Sequence, residues 1–210
     1  MKIFKHTAIA LLLGASQSAP AQTLTIGLDM SLSNPLVSDK AFRQQVAGYV
    51  AQHIKPMRVK DQVVLMPFGA RDNAANLHSK RITIKRHQQA KTAKAVAHHI
   101  INFSAQKSNA QQATNILAWL EFNDFNCANG GTIIAVTDGI ESSENVNASA
   151  FITGKVALPK PDEFHQLQNC DVVFYGLGVG RPAKEAKIIR RAWAAYFKQA
   201  GVKSFKAIMP

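Results

Sequence analysis

A chain of 210 residues, 47% hydrophobic and 18% charged, has the balance of one globular domain with a substantial core. That balance excludes a disordered protein and leaves little room for a second domain. The formal net charge of +12 makes the surface basic and favours acidic partners: nucleic acid, anionic lipid, polysaccharide or an acidic protein. A simply solvated basic face fits the same charge, so charge alone chooses no function.

At the amino terminus Lys2, Lys5 and His6 precede the apolar run Ala8-Ile9-Ala10-Leu11-Leu12-Leu13, and small residues lead to Ala19-Pro20-Ala21. A basic start, a short apolar stretch and an A-x-A site predict a secretory signal peptide over residues 1–21. The run is shorter than the ~20 residues of a membrane span. No Cys follows the cleavage site to carry a lipid, and no later segment reads as membrane-spanning. The mature domain is therefore expected over residues 22–210, in the periplasm. Its two cysteines, Cys127 and Cys170, read as a structural disulfide in an oxidising compartment. They lack the spacing of a CxxC redox pair and the histidines of a zinc site.

Leu24–Leu28 predicts a short strand buried on both faces and ending at Asp29. From Asp39 to Ile54, helical spacing places Phe42, Val46, Tyr49, Val50 and Ile54 on one face. Val63–Gly69 is the next strand, and the alternation in Arg81–Lys85 predicts an exposed edge strand. Gln88–Phe103 reads as a helix with Ala93, Val96, Ala97, Ile100 and Ile101 inward. A further helix opens near Thr114, with Ile116, Leu117, Leu120 and Phe122 as its apolar positions. Thr132–Thr137 is a fully apolar strand ending at Asp138, and a loop-rich stretch follows, with a short helix around Glu163–Leu167. Val172–Gly176 predicts a strand, Lys184–Ala200 an amphipathic helix and Phe205–Ile208 a last edge strand. Strands alternating with helices predict a three-layer α/β fold: a mostly parallel sheet, one antiparallel edge strand, and helices on both faces. In such sheets the ligand site lies beyond the carboxyl ends of the strands, where strand order reverses.

Acidic residues stand there. Asp29 opens Asp29-Met30-Ser31-Leu32-Ser33, a D-x-S-x-S sequence whose two hydroxyls can turn toward the point that the carboxylate faces. Asp138 supplies a second carboxylate, Gly139 permits a tight turn after it, and Thr114 offers another hydroxyl. These are hard oxygen donors of the kind that suit Mg²⁺ and, less selectively, Mn²⁺ or Ca²⁺.

The run Gly27–Ser33 resembles the first element of the metal-ion-dependent adhesion site (MIDAS) of von Willebrand factor A (vWA) domains. Ala113-Thr114-Asn115-Ile116 is similar to the second element, and Val136-Thr137-Asp138-Gly139 to the third. Val173–Gly180 looks like the strand and turn that follow. The order and spacing agree over essentially all of the mature chain. One departure is Gln112-Ala113, where members often have glycine before the threonine. The resemblance implies a Rossmann-like vWA fold, with Ser31, Ser33 and Thr114 approaching a cation through their hydroxyls. Asp29 and Asp138 would act directly or through waters. The activity implied is protein binding bridged by a divalent cation rather than catalysis, with a partner carboxylate filling an open coordination position. The family's strand order would also set the strand ending at Asp138 beside the one beginning at Val172, bringing Cys127 and Cys170 to neighbouring amino ends.

Other signals carry less. Gly176-Leu177-Gly178-Val179-Gly180 is G-x-G-x-G rather than the G-x-G-x-x-G of a dinucleotide loop, and it is not on the first βα unit, so no nucleotide is expected. His53, His87, His98 and His99 lack metal-ligand spacing. Lys80, Arg81, Lys85, Arg86 and Lys91 cluster about the edge strand, and Lys184, Lys187, Arg190, Arg191 and Lys198 lie on the late helix. Either group could face an anionic surface, which gives the rival expectation: an electrostatic binding module with a vestigial metal site.

Overall fold

The structure, a computed structural model, describes residues 19–103, 111–161 and 166–210. The apolar stretch of the expected signal peptide lies outside the described residues. Among those described, no helix is long and apolar enough to cross a membrane.

The strands are β1 (Thr23–Asp29), β2 (Gln62–Phe68), β3 (Lys80–Thr83), β4 (Thr132–Val136), β5 (Asp171–Tyr175) and β6 (Ser204–Ile208). They form one six-stranded sheet in the order β3-β2-β1-β4-β5-β6. All neighbours are parallel except the β2–β3 pair. The helices are α1 (Pro35–Ser38), α2 (Lys40–Ile54), α3 (Gln89–Ile101), α4 (Ile116–Phe122), α5 (Ala148–Ile152) and α6 (Ala183–Gln199). The predicted α/β architecture stands, including the antiparallel edge, and the last strand joins the sheet in parallel.

The sheet is apolar on both faces because helices cover both. Every residue of β1 is buried. Alternate residues of β4 divide between two cores: Ile134 and Val136 pack with Phe42, Val46 and Val50 of α2 and Val96 and Ile100 of α3. Ile133 and Ala135 pack with Leu117 and Leu120 of α4, Phe151 of α5 and Trp193 and Phe197 of α6. Local chemistry starts the helices near the site: Asn34 caps α1 with Pro35 in its first turn, and Asp39 caps α2 through the amides of Ala41 and Phe42 at 2.7 and 3.1 Å.

Two expectations are corrected. Phe122 is 71% exposed rather than inward. Trp119 takes the core position in α4, stacked on Phe68 at 4.5 Å and edge-on to Phe125 at 5.1 Å. Gly27 makes this possible, since a Cβ there would meet the indole at 2.6 Å. The stretch read as loop also holds α5, whose short helix is capped by Asn147 and anchored by the buried Phe151. Of the short helix expected around Glu163–Leu167, residues 162–165 lie outside the described residues, and Leu167 is buried in a turn.

Cys127 and Cys170 form the disulfide, with Cα atoms 4.6 Å apart. They precede β4 and β5, so the bridge closes the amino end of the sheet. With a sequence separation of 43, the chain-entropy relation gives a stabilisation of about 4 kcal/mol. Reducing the bridge is expected to lower the unfolding free energy measured in urea by that order while leaving cation affinity unchanged; a parallel loss of cation affinity would show that the two ends of the sheet are coupled.

Candidate metal centre

The chain runs from β1 outward to β2 and β3, and from β4 outward to β5 and β6. Strand order therefore reverses between β1 and β4, where a crevice opens beyond the carboxyl ends. Leu28 pairs with Val136, so the residues that follow, Asp29 and Thr137, leave the sheet side by side. Thr137 Oγ1 donates to Asp29 Oδ2 at 2.6 Å, and the Ser31 amide donates to Oδ1 at 2.8 Å. Asp138 lies one residue further, its Oδ1 accepting from the Ile140 amide at 3.1 Å. Ser31 and Ser33 come together with their hydroxyl oxygens 3.3 Å apart, and the Ser33 hydroxyl also bonds Asp138.

Thr114 arrives from the segment before α4. It pairs with Ser142 through reciprocal backbone hydrogen bonds of 3.1 and 2.9 Å, while Gln111 pairs with the Met30–Leu32 backbone at 3.0 Å on each side. Thr114 thus lines one pocket together with Ser31 and Ser33. Ala113 is not among the residues with left-handed backbone, so the turn does not require a glycine there. The structure therefore gathers Asp29, Ser31, Ser33, Thr114 and Asp138 around one crevice.

Three further features hold this arrangement; the tight turn at Gly139 and the turn after β5 are expected from the sequence, while the roles of Asn34 and Glu141 are not. The buried Asn34 side chain donates to the carbonyls of Asp29 at 3.1 Å and Val136 at 2.9 Å, clasping β1 to β4 where they diverge. The turn after β5 supports the Asp138 loop, the Gly178 amide donating to the Asp138 carbonyl at 2.9 Å, while Trp193 Nε1 donates to the Gly139 carbonyl at 2.8 Å. Gly139 itself adopts φ +76°, where a Cβ would strike Leu177. The buried Glu141 accepts from the amides of Ile116 and Leu117 at 2.9 and 3.2 Å. It thereby ties the first turn of α4, and so the Thr114 segment, to the Asp138 loop. Glu141 follows an apolar strand in a sequence of ordinary loop residues, and nothing local marks it as a cap for a helix lying before it in the chain.

Asp29 is 0% and Asp138 1% exposed. Burial first, and then the neighbouring Asp138, push the Asp29 carboxyl up to about 7, against the hydrogen bonds from Thr137 and Ser31. Burial also raises Asp138, opposed by the Ser33 hydroxyl, the Ile140 amide and the Arg181 charge. Among the described residues no ion pair reaches either carboxylate. Two buried acids that repel each other, edged by hydroxyl oxygens, have the donor chemistry of a hard divalent cation. Among the described residues no cluster of three or more His, Cys, Asp or Glu side chains gathers in a metal-holding group; this set is hydroxyl-rich and holds two carboxylates.

No protein-family model matches the chain, and no curated protein matches it in sequence. Among solved structures it is similar in fold to a pilus adhesin, SpaC from Lactobacillus rhamnosus GG, in an open conformation, with a TM-score of 0.53 and 12% identity. The match covers 92% of this chain and 28% of that one, so the chain spans under a third of that neighbour's length. At this identity the likeness concerns the α/β fold.

Two predictions follow from the buried acids. The folded-state pKa of Asp29 lies above its unfolded value of 3.8, so folding favours the protonated carboxyl. That contribution is whole below pH ~4 and is lost as pH rises through ~7. In EDTA, Asp29→Asn is therefore expected to be more stable than the parent at pH 7.5, by about 2 kcal/mol, with the advantage shrinking toward pH 4.5; urea midpoints of both proteins at both pH values measure it. Glu141→Ala leaves the Ile116 and Leu117 amides buried without an acceptor and is expected to cost about 2–3 kcal/mol in the same assay.

Proposed function

We propose that this chain is an exported protein-binding domain of von Willebrand factor A type, acting in adhesion or assembly at the cell envelope. In this reading the crevice between β1 and β4 holds a divalent cation, Mg²⁺ or else Mn²⁺ or Ca²⁺. The observation that carries it is the gathering of two fully buried carboxylates, without an ion pair among the described residues, with the hydroxyls of Ser31, Ser33 and Thr114 at the reversal of strand order. A pair of like charges so placed is costly unless it is protonated or meets a cation.

Ser31, Ser33 and Thr114 would hold the ion through their hydroxyls, and Asp29 and Asp138 directly or through water. The ion's chemistry is that of a Lewis acid left only partly neutralised by mostly neutral donors, which attracts a carboxylate. Thr137 and the Ser31 amide fix the Asp29 oxygens, while Asn34 holds the two strand ends at a constant separation. We read the site as one for binding rather than turnover. The predicted signal peptide and the Cys127–Cys170 bridge support an oxidising location, taken here as the periplasm. The pilus-adhesin neighbour supports a role in adhesion.

A thermal melt of the mature protein in EDTA and then in Mg²⁺, Mn²⁺ or Ca²⁺, beside Asp29→Ala, tests this reading. A cation bound only by the folded state raises stability by about 2.7 kcal/mol at a hundredfold excess over Kd. The shift is expected in the parent and not in the variant, and to grow from pH 6 to pH 8 as the cation displaces the proton from Asp29. No shift at millimolar cation, together with salt-sensitive, cation-independent partner binding, would transfer the function to the basic surface.

A further inference from the structure

Arg181 stands in the turn between β5 and α6, with its side chain 33% exposed. It lines the same ≈ 370 Å³ pocket as Ser31, Ser33 and Thr114. Among the described residues, none of the side chains lining this pocket is a carboxylate, and Arg181 is the one cation among them. The acids of the site lie beneath, buried. Arg181 is near enough to Asp138 to favour its charged form, yet its ion pair is with Glu185, and that contact is long, at 4.0 Å. A guanidinium carries five donors, and this one is a third exposed where it lines the pocket. Leu32 lines the same pocket and is 59% exposed. The mouth of the site thus joins one guanidinium, neutral hydroxyls and amides and an exposed leucine, over a floor where the cation reading places a second positive centre.

We propose that Arg181 is a second anchor for the partner, so that the pocket selects an acidic peptide segment whose carboxylates are shared between the metal crevice and the Arg181 guanidinium. This rests on the cation reading above but adds a specificity element that the D-x-S-x-S, Thr114 and Asp138 elements do not contain. The placement also has a cost in the free protein. A positive charge beside Asp138 opposes the incoming cation, so Arg181 weakens cation uptake and strengthens partner capture.

The opposed signs make the test. The full mature chain, Arg181→Gln, and Lys184→Gln as a control of equal charge change on the exposed face of α6 are titrated with Mn²⁺ alone. Each is then titrated with a hexaglutamate peptide, with hexaglutamine alongside, at about 0.15 M salt to screen the remaining basic surface. Arg181→Gln is expected to take up Mn²⁺ roughly two- to fivefold more tightly and to bind hexaglutamate about tenfold more weakly, with Lys184→Gln like the parent in both. Equal hexaglutamate binding by the parent and Arg181→Gln, equal loss in Lys184→Gln, or no binding by the parent overturns the proposal. If the parent takes up no Mn²⁺ but binds hexaglutamate through Arg181, the cation reading fails and the anchor stands.

Discussion

Parallel pairing of β1 with β4 forces Asp29 and Asp138 to leave the sheet together, and the helices on both faces keep water from either. That confinement of two like charges is what the neighbouring structure answers. Thr137 and the Ser31 amide each occupy one oxygen of Asp29. Asn34 closes the gap between the diverging strands, and Ser33 reaches across to Asp138. None of these groups carries a positive charge, so they satisfy lone pairs without neutralising the pair, and the Arg181 charge acts only on Asp138. Burial and the Asp138 charge push the Asp29 carboxyl up to about 7, and a divalent cation would relieve the repulsion.

The supports of the crevice come from distant parts of the chain, which ties its geometry to the whole fold rather than to one loop. The Thr114 segment is stitched to the loop after β1 through Gln111 and to the loop after β4 through Ser142. Glu141 then fixes the start of α4 from below. The glycine-rich turn after β5, with left-handed backbone at Gly176, Gly178 and Gly180, brings the Gly178 amide against the Asp138 carbonyl. Its glycines serve close packing and a tight turn. The disulfide sits at the opposite end, so stabilisation of the sheet and chemistry at its carboxyl edge occupy separate places.

Much of this was legible in the sequence, because the features concerned are local. Continuous apolar runs marked the buried strands, 3.6-residue spacing marked α2, α3 and α6, and the aspartates stood at strand ends where chemistry collects. What escaped was long-range. Asn34 meets Val136 across 102 residues, and Glu141 meets Ile116 across 25, so neither role has a sequence signature. Phe122 fitted the apolar count of α4, but the packing of Trp119 on Phe68 decides which face turns inward, and the helix ends at Phe122 with that side chain in solvent. α5 is too short for periodicity to reveal, and it holds one buried residue, Phe151.

The most direct test is anomalous diffraction from crystals of the mature protein grown with Mn²⁺. The expected result is a single strong peak in the crevice, about 2.0–2.6 Å from the Ser31 and Ser33 hydroxyl oxygens, with Asp29 and Asp138 beside it and no peak in Asp29→Ala. A featureless crevice at millimolar Mn²⁺, or a peak held by other residues, would contradict a cation site between β1 and β4.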